Sequence, residues 1–271
     1  MHTYFLKPTL IISIFFVFLT SCATQQETPG VEDMHRILAP SGKLRMGLNE
    51  ANVIHYILNE KTGEVRGLGH ALGSELAKRL GVEFEVVPFK KNSDVTSAAA
   101  SGVVDLIFTN ASPARKLQMD FTDTVIEFEQ GYLVPAGSKI KSLADVDQAG
   151  VKIGVVKGST TEGKLSKELK QATLVSVADM KAAAEDLSTG KINTFTTNKA
   201  HLYELSDGIS GSSVLGERTG LENLALAIPK YRKIALPYLN EFVKKIKEDG
   251  TLKGAAEKAK LRGFVKEEAK P

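Results

Sequence analysis

The residues of this chain best suited to chemistry stand at positions 109–115, in the order Thr-Asn-Ala-Ser-Pro-Ala-Arg. An arginine recognises a planar anion well, because its guanidinium donates two parallel hydrogen bonds to a carboxylate. Arg115 follows Ser112 and Pro113, the residue types that occupy the N-cap and first position of a helix. The apolar run at residues 103–108 reads as a strand ending in the polar bend Thr109-Asn110-Ala111. A strand end, free N–H groups at a helix start and an arginine thus converge where open α/β sheets bind ligands. An ordinary capped helix with Arg115 in solvent has the same spacing, so a second feature is needed to separate the two.

That second feature is at residues 157–162. A strand at 151–156 ends in Lys157-Gly158-Ser159-Thr160-Thr161-Glu162. Ser159 or Thr160 caps the next helix, and Glu162 sits three beyond Ser159 as in a capping box. Two such helix starts, each after a strand, suit a small anion gripped from both sides. Catalytic and metal chemistry find less support. His35, His55, His70 and His201 show no H-x-x-x-H spacing and no cysteine partner, so no metal site is expected. No G-x-S-x-G or phosphate-binding loop occurs, and neither a catalytic residue nor a cofactor is expected. Glu127 and Glu129 face one side of an extended segment and read as solvated; Lys244, Lys245 and Lys247 read as the polar face of a helix.

The elements that position these residues alternate between strand and helix. Strands are expected at residues 44–48, 83–88, 103–108, 128–135, 151–156, 173–177 and 224–228. Leu68, Leu72, Leu76 and Leu80 mark one face of a helix over 68–80, with Gly81 as its C-cap. Further helices are expected at 95–101, 141–147, 180–188 and, for the most part, 237–260. Repeated β-α-β alternation implies mostly parallel, doubly wound sheets in two units.

The 271 residues carry 35 Lys and Arg against 32 Asp and Glu, with no Trp. Residues 10–19 are almost wholly apolar and lead into Leu19-Thr20-Ser21-Cys22, which reads as a secretory leader too short to span a membrane. Small residues before the chain's one cysteine resemble the lipobox of bacterial lipoproteins. That likeness implies removal of residues 1–21, lipidation of Cys22 and a membrane anchor there, with 22–42 a flexible tether. Removing residues 1–21 takes away Lys7 and no acid, so 250 residues remain with a formal charge of +2. Near balance without a basic, aromatic-rich tract argues against nucleic acid as a partner.

Other marks run through most of the chain. They are Gly63-Glu64-Val65-Arg66-Gly67 before a helix, Leu80-Gly81-Val82 before a strand, and Gly102 and Asp105 leading to Ser112-Pro113-Ala114-Arg115. Met119-Asp120-Phe121, Ser142-Leu143-Ala144-Asp145, Lys152-Ile153-Gly154-Val155 with Gly158-Ser159-Thr160, and Phe242-Val243 through Asp249-Gly250-Thr251-Leu252 follow. In this order, over residues 43–255, the chain resembles the bacterial extracellular solute-binding proteins of family 3, the polar amino-acid receptors of ABC importers. The resemblance implies an α/β fold of type II periplasmic-binding-protein architecture. Each of its two lobes would be a doubly wound, mostly parallel sheet with helices on both faces. Hinge segments near 127–131 and 225–229 would join lobe 1 (43–127 plus 229–271) to lobe 2 (131–225), closing around a solute in the cleft. It further implies a monomer, a permease partner in the inner membrane and a periplasmic-side location. Ala23 in place of Asp favours outer-membrane attachment in a Gram-negative cell, and a Gram-positive cell would hold it at the cell membrane.

By the same resemblance Arg115 matches the arginine that pairs with the solute's α-carboxylate. Asn110 and Ser112 match the polar groups beside it, and Thr160 with Ser159 matches the lobe 2 contact to the same group. Departures fall elsewhere. Val53 and Asn92 stand where aromatic residues sandwich the solute, while Tyr56 matches a neighbouring apolar-aromatic position. Asn198 replaces the acid that pairs with an α-ammonium, Asn193 and Ala71 replace other acids, and Glu50 at the cleft rim is the candidate substitute. A small carboxylate-bearing solute, an amino acid or a related organic acid, is therefore expected. The same fold also hosts enzymes resembling cyclohexadienyl dehydratase, for which Glu50 and Glu162 would be the cleft acids here, and ligand-sensing modules.

Overall fold

The computed structural model describes residues 1–2, 30–50, 52–59 and 61–265. The expected leader, Cys22 and most of the tether fall on residues 3–29 and so lie outside the described residues. Helix α1 (Val31–Leu38) comes first, followed by β1 (Lys43–Asn49), the small hairpin β2 (Ile57–Leu58) and β3 (Val65–Arg66), α2 (Leu68–Leu80) and β4 (Glu83–Phe89). Then come α3 (Asn92–Ala100), β5 (Leu106–Asn110), the single turn α4 (Pro113–Lys116), β6 (Met119–Phe121) and the long β7 (Ile126–Val134). A second series holds β8 (Lys152–Val156), α5 (Thr160–Glu168), β9 (Thr173–Val177), α6 (Met180–Ser188), β10 (Thr194–Asn198), α7 (Lys199–Gly208) and β11 (Ser213–Val214). The long β12 (Gly220–Pro229) leads back to α8 (Leu236–Glu248) and α9 (Thr251–Lys258).

Among the described residues a ten-stranded sheet runs in the order β4-β1-β5-β12-β7-β10-β8-β9, with β6 against β12 and β11 against β7. Its outer thirds, β4-β1-β5 and β10-β8-β9, are parallel, as βαβ crossovers require. Its middle is antiparallel, because β7 and β12 carry the chain over and back. Leu68, Leu72 and Leu76 of α2 pack on Leu44, Met46 and Leu48 of β1 on one face of the first half. Val95 and Ala99 of α3 pack on Ile107 on the other face. Gly73 lets α2 approach closely, since a Cβ there would meet the Phe84 ring at 2.4 Å and the Met46 sulfur at 2.6 Å. The second half has its own cores around Phe195, Leu187 and Leu202, and around Ile153 and Tyr132.

Several expectations change, and the helix expected at 141–147 is only a 3-10 turn at Leu143–Asp145. Residues 31–38, counted with the tether, form α1, because Met34 and Leu38, one turn apart, both bury against the first core. Residues 103 and 104 are not strand: their N–H groups turn back onto the Ala98 carbonyl, and β5 begins at Leu106. Residues 225–229 pair with β5 and β6 inside the first half, whereas Gly220–Leu224 is the part of β12 paired with β7. Apolarity marked the strand but not its partners, of which β7 meets 220–224 and β5 and β6 meet 224–229.

Candidate ligand-binding site

The carboxyl ends of β1, β5, β8 and β10 face a common cavity between the halves, walled on one side by β12. A cavity of about 70 Å³ lies there, continuous with solvent at its mouth. The first half contributes Asn52, Ile54, His55, Asn92, Thr109, Asn110 and Arg115. The second contributes Ser159, Thr160, Met180, Thr197, Asn198 and His201, and β12 adds Glu222 and Leu224. Asn110 Nδ2 donates to Thr160 Oγ1 at 3.1 Å across the cavity, and Arg66 meets Glu204 at 3.4 Å, so the halves are in contact.

Arg115 is held at the end of β5. Its Nη1 donates to Thr109 Oγ1 at 2.7 Å and to the Asn110 carbonyl at 3.4 Å. Among the described residues no carboxylate lies within ion-pair distance of it, and Nε and Nη2 have no hydrogen-bond partner. Burial lowers its pKa, opposed by the charge of Glu222; a guanidinium nevertheless stays protonated. Ser112 caps α4 as expected, accepting from the Arg115 N–H at 3.4 Å, with Pro113 at the first position. Since α4 is a single turn, it adds little dipole, and the guanidinium itself carries the positive charge.

On the facing side Ser159 caps the two-turn α5, accepting from the Glu162 N–H at 3.1 Å. Glu162 Oε2 accepts at 2.6 Å from the N–H of Gly158, one residue before the N-cap, where a capping box would take that of Ser159 itself, and Glu162 also accepts from Ser176. Glu162 is thus the partner of a cap. Thr160, at the start of α5, faces the cavity.

The acid at the cavity wall is Glu222. Asn198 Nδ2 donates to Glu222 Oε2 at 2.6 Å, while Asn198 Oδ1 accepts from the His201 N–H at 3.2 Å as the N-cap of α7. Loss of water raises the Glu222 pKa above its usual range, and Asn198, Arg115 and Asn110 pull it back. Two buried imidazoles complete the lining. Burial, with help from His201 and Arg115, lowers the His55 pKa to about 3, and burial lowers that of His201 to about 4. Both are neutral at pH 7 and add no charge to the cavity. Asn52 fixes the turn, its side chain accepting from the backbone N–H groups of Ile54 and His55 at 2.9 and 3.3 Å, and the His55 ring accepts at Nδ1 from the Asn49 N–H at 3.4 Å.

The structure therefore brings together Arg115, Asn110, Ser159, Thr160, Asn198 and Asn92, the last accepting from Asn49 Nδ2 at 2.8 Å. Glu50, Tyr56 and Ser112 are not among the lining residues. Glu50 donates its N–H to the Phe89 carbonyl, and the Tyr56 ring packs by His70 at 5.9 Å on the first core. Glu222, His55, His201, Asn52, Met180 and Thr197 escaped the sequence reading. Glu222 fell just before the apolar run read as a strand, and Gly-Leu-Glu-Asn-Leu at 220–224 has no apolar alternation that would have extended it. Glu129, read as solvated, pairs with the buried Lys199 at 2.7 Å. Among the described residues no group of three or more His, Cys, Asp or Glu could hold a metal, and no helix is long and apolar enough to cross a membrane.

Known proteins share this architecture. A glutamine-binding protein of an ABC transporter, GlnH of Bacillus subtilis (strain 168), is 25% identical over 250 residues, 89% of this chain and 91% of that protein. The crystal structure of an ancestral amino acid-binding protein, described as a precursor of cyclohexadienyl dehydratase, superposes with a TM-score of 0.72 at 26% identity over 84% of this chain and 99% of that one. An ancestral arginine-binding protein bound to glutamine does so with a TM-score of 0.70 at 29% identity, over 82% and 98%. The model of the bacterial extracellular solute-binding proteins, family 3, matches residues 44–260. With the two-lobed sheet and the cavity between its halves, this match over most of the chain places the protein in that family: it belongs to the bacterial extracellular solute-binding proteins of family 3.

Proposed function

We propose that this chain captures an amino acid, or a closely related small carboxylate, in its cleft and delivers it to the membrane permease of an ABC importer. One observation carries the reading: an arginine without an ion-pair partner among the described residues faces the capped start of α5 across the cavity in a chain of this family. Arg115 takes the carboxylate through its uncommitted Nε and Nη2, and Ser159, Thr160 and Asn110 supply further hydrogen bonds. Asn92, Asn52, His55 and Met180 surround the rest of the solute, which fits a polar side chain better than a stacked aromatic one. Outside the described residues, Cys22 carries the lipid that keeps the exported protein at the cell envelope, and Cys22→Ser abolishes labelling by radioactive fatty acid.

A thermal-shift screen of the purified protein against the twenty L-amino acids and common organic acids tests the function. A solute at a hundred times its Kd stabilises by about 2.7 kcal/mol. Arg115→Ala removes that shift, because truncating one side of a buried charge pair costs about 2–5 kcal/mol. Glu222, a cleft carboxyl with raised pKa, is the one feature that suits a dehydratase acting by general-acid catalysis. Release of water from prephenate or arogenate without stable binding of any amino acid would establish that second reading instead.

A further inference from the structure

Arg115 and Glu222, a guanidinium and a carboxyl group, line one cavity and are not paired with each other within 4 Å. We infer that Glu222 receives a positively charged ammonium group of the solute while Arg115 receives its carboxylate, so the cleft is built for a zwitterion. This rests on the receptor function proposed above and moves the site of ammonium recognition from the end of β10 to β12.

The placement follows from strand geometry. Antiparallel pairing sets Glu222 opposite Phe128 and Leu224 opposite Ile126, on one face of the β12–β7 pair. Residues 222 and 224 therefore point together at the cavity, which both line. The neighbouring positions 221 and 223, with Glu127 and Glu129 opposite them, point to the other face. Asn198 cannot stand in as the acid, since its oxygen caps α7 and its amide nitrogen is spent on Glu222. Its function is to hold Glu222, a positioning residue between α7 and β12. Glu50, the other candidate from the sequence, does not line the cavity.

Electrostatics point the same way. Among the described residues no lysine, arginine or histidine nitrogen lies within ion-pair distance of Glu222, so this part-buried carboxyl group has no contacting cation. Desolvation raises its pKa accordingly, and Arg115, acting from beyond contact distance, only partly offsets that. His55 and His201 stay neutral and do not supply the missing charge. An ammonium group brought in by the solute would satisfy Glu222 as its carboxylate satisfies Arg115. A solute carrying only a carboxylate would leave Glu222 desolvated and unpaired.

Calorimetry on the purified protein reads this directly. The twenty L-amino acids are titrated first, and those that bind are compared with the analogue bearing hydrogen in place of the α-ammonium. The expected result is that the deaminated analogue binds wild-type protein at least about thirtyfold more weakly. Glu222→Gln then weakens the amino acid by a similar factor and changes the analogue by no more than about threefold, the retained analogue binding showing that the variant is folded. A purely structural function of Glu222 would lower both affinities together and overturn the inference. So would equal binding of amino acid and analogue to the wild type, which needs no variant to fold. In either case the receptor function stands. If no amino acid binds while an organic acid does, the amino-acid reading and the inference both fall.

Discussion

Asp105, just before β5, and Glu222, on β12, are both carboxylates withdrawn from water near arginines, yet their surroundings differ. Asp105 is fully buried and saturated. Its Oδ2 accepts from the Arg45 N–H at 3.0 Å and Nε at 2.9 Å, and its Oδ1 from Arg45 Nη2 at 2.9 Å and Arg232 Nη1 at 2.8 Å. Glu222 is held by an amide at 2.6 Å and has no cation in contact among the described residues. The arginines divide in the same way: Arg232 is committed to Asp105, whereas Arg115 binds only neutral oxygens through one nitrogen. A saturated buried charge ties β1, the start of β5 and the helical turn after β12 together. An unsaturated one facing a cavity fits the ammonium site inferred for Glu222.

Mutation separates the two most sharply. Asp105→Ala leaves the buried Arg232 without its counter-charge and is expected to lower stability by about 3–5 kcal/mol, read from the midpoint of urea unfolding. Arg115→Ala is expected to spare that midpoint to within about 1 kcal/mol, because losing its charge-assisted bonds to Thr109 and Asn110 is offset by removing a desolvated cation that has no counter-charge, and to abolish solute binding. A chain that unfolds as readily without Arg115 as without Asp105 would erase the distinction.

The histidines of the cavity test the same contrast through pH. His55 and His201 have folded pKa values of about 3 and about 4, against an unfolded value of about 6.5. Between those limits the unfolded chain binds more protons, so stability is full above about pH 6.5 and declines as pH falls toward 4. Each histidine contributes a slope of about 1.4 kcal/mol per pH unit. His201→Gln should remove roughly half of this acid slope, measured as thermal midpoint against pH from 7 to 5. An unchanged slope would mean that His201 already takes up a proton in the folded protein.

How far the sequence reached follows from the kind of signal each feature carries. The helix over Leu68–Leu80 matched to the residue, because four leucines at four-residue spacing define a face and Gly81 ends it in a left-handed conformation. Thr173–Val177 and Met180–Ser188 matched as well. Capping chemistry was legible, since Ser112, Ser159 and Glu162 act through neighbours within four residues. Glu222 was not legible, because its meaning depends on Arg115 and Asn198, brought near it only by the pairing of β12 with β5 and β7. Glu129 was misread for the same reason: its partner Lys199 is seventy residues away in sequence. Local physics is written locally, and a charge's partner across a sheet is not.

The smallest effect separates a cap that only folds from one that also binds. Ser112 and Ser159 each accept one backbone N–H at a helix start, at 3.4 and 3.1 Å. Replacing either with alanine is expected to cost about 1 kcal/mol of stability. The Ser112→Ala loss belongs at the low end, because its bond is longer and its helix is a single turn. The solute distinguishes them, since Ser159 lines the cavity and Ser112 does not. Ser159→Ala should therefore weaken solute binding by about fivefold to tenfold, the worth of one hydrogen bond to a charged group less some relief from water. Ser112→Ala should leave it within about twofold. Equal losses of affinity in calorimetry would mean that Ser159 acts only through the helix it starts, leaving Thr160 as the one side chain of that turn to meet the carboxylate.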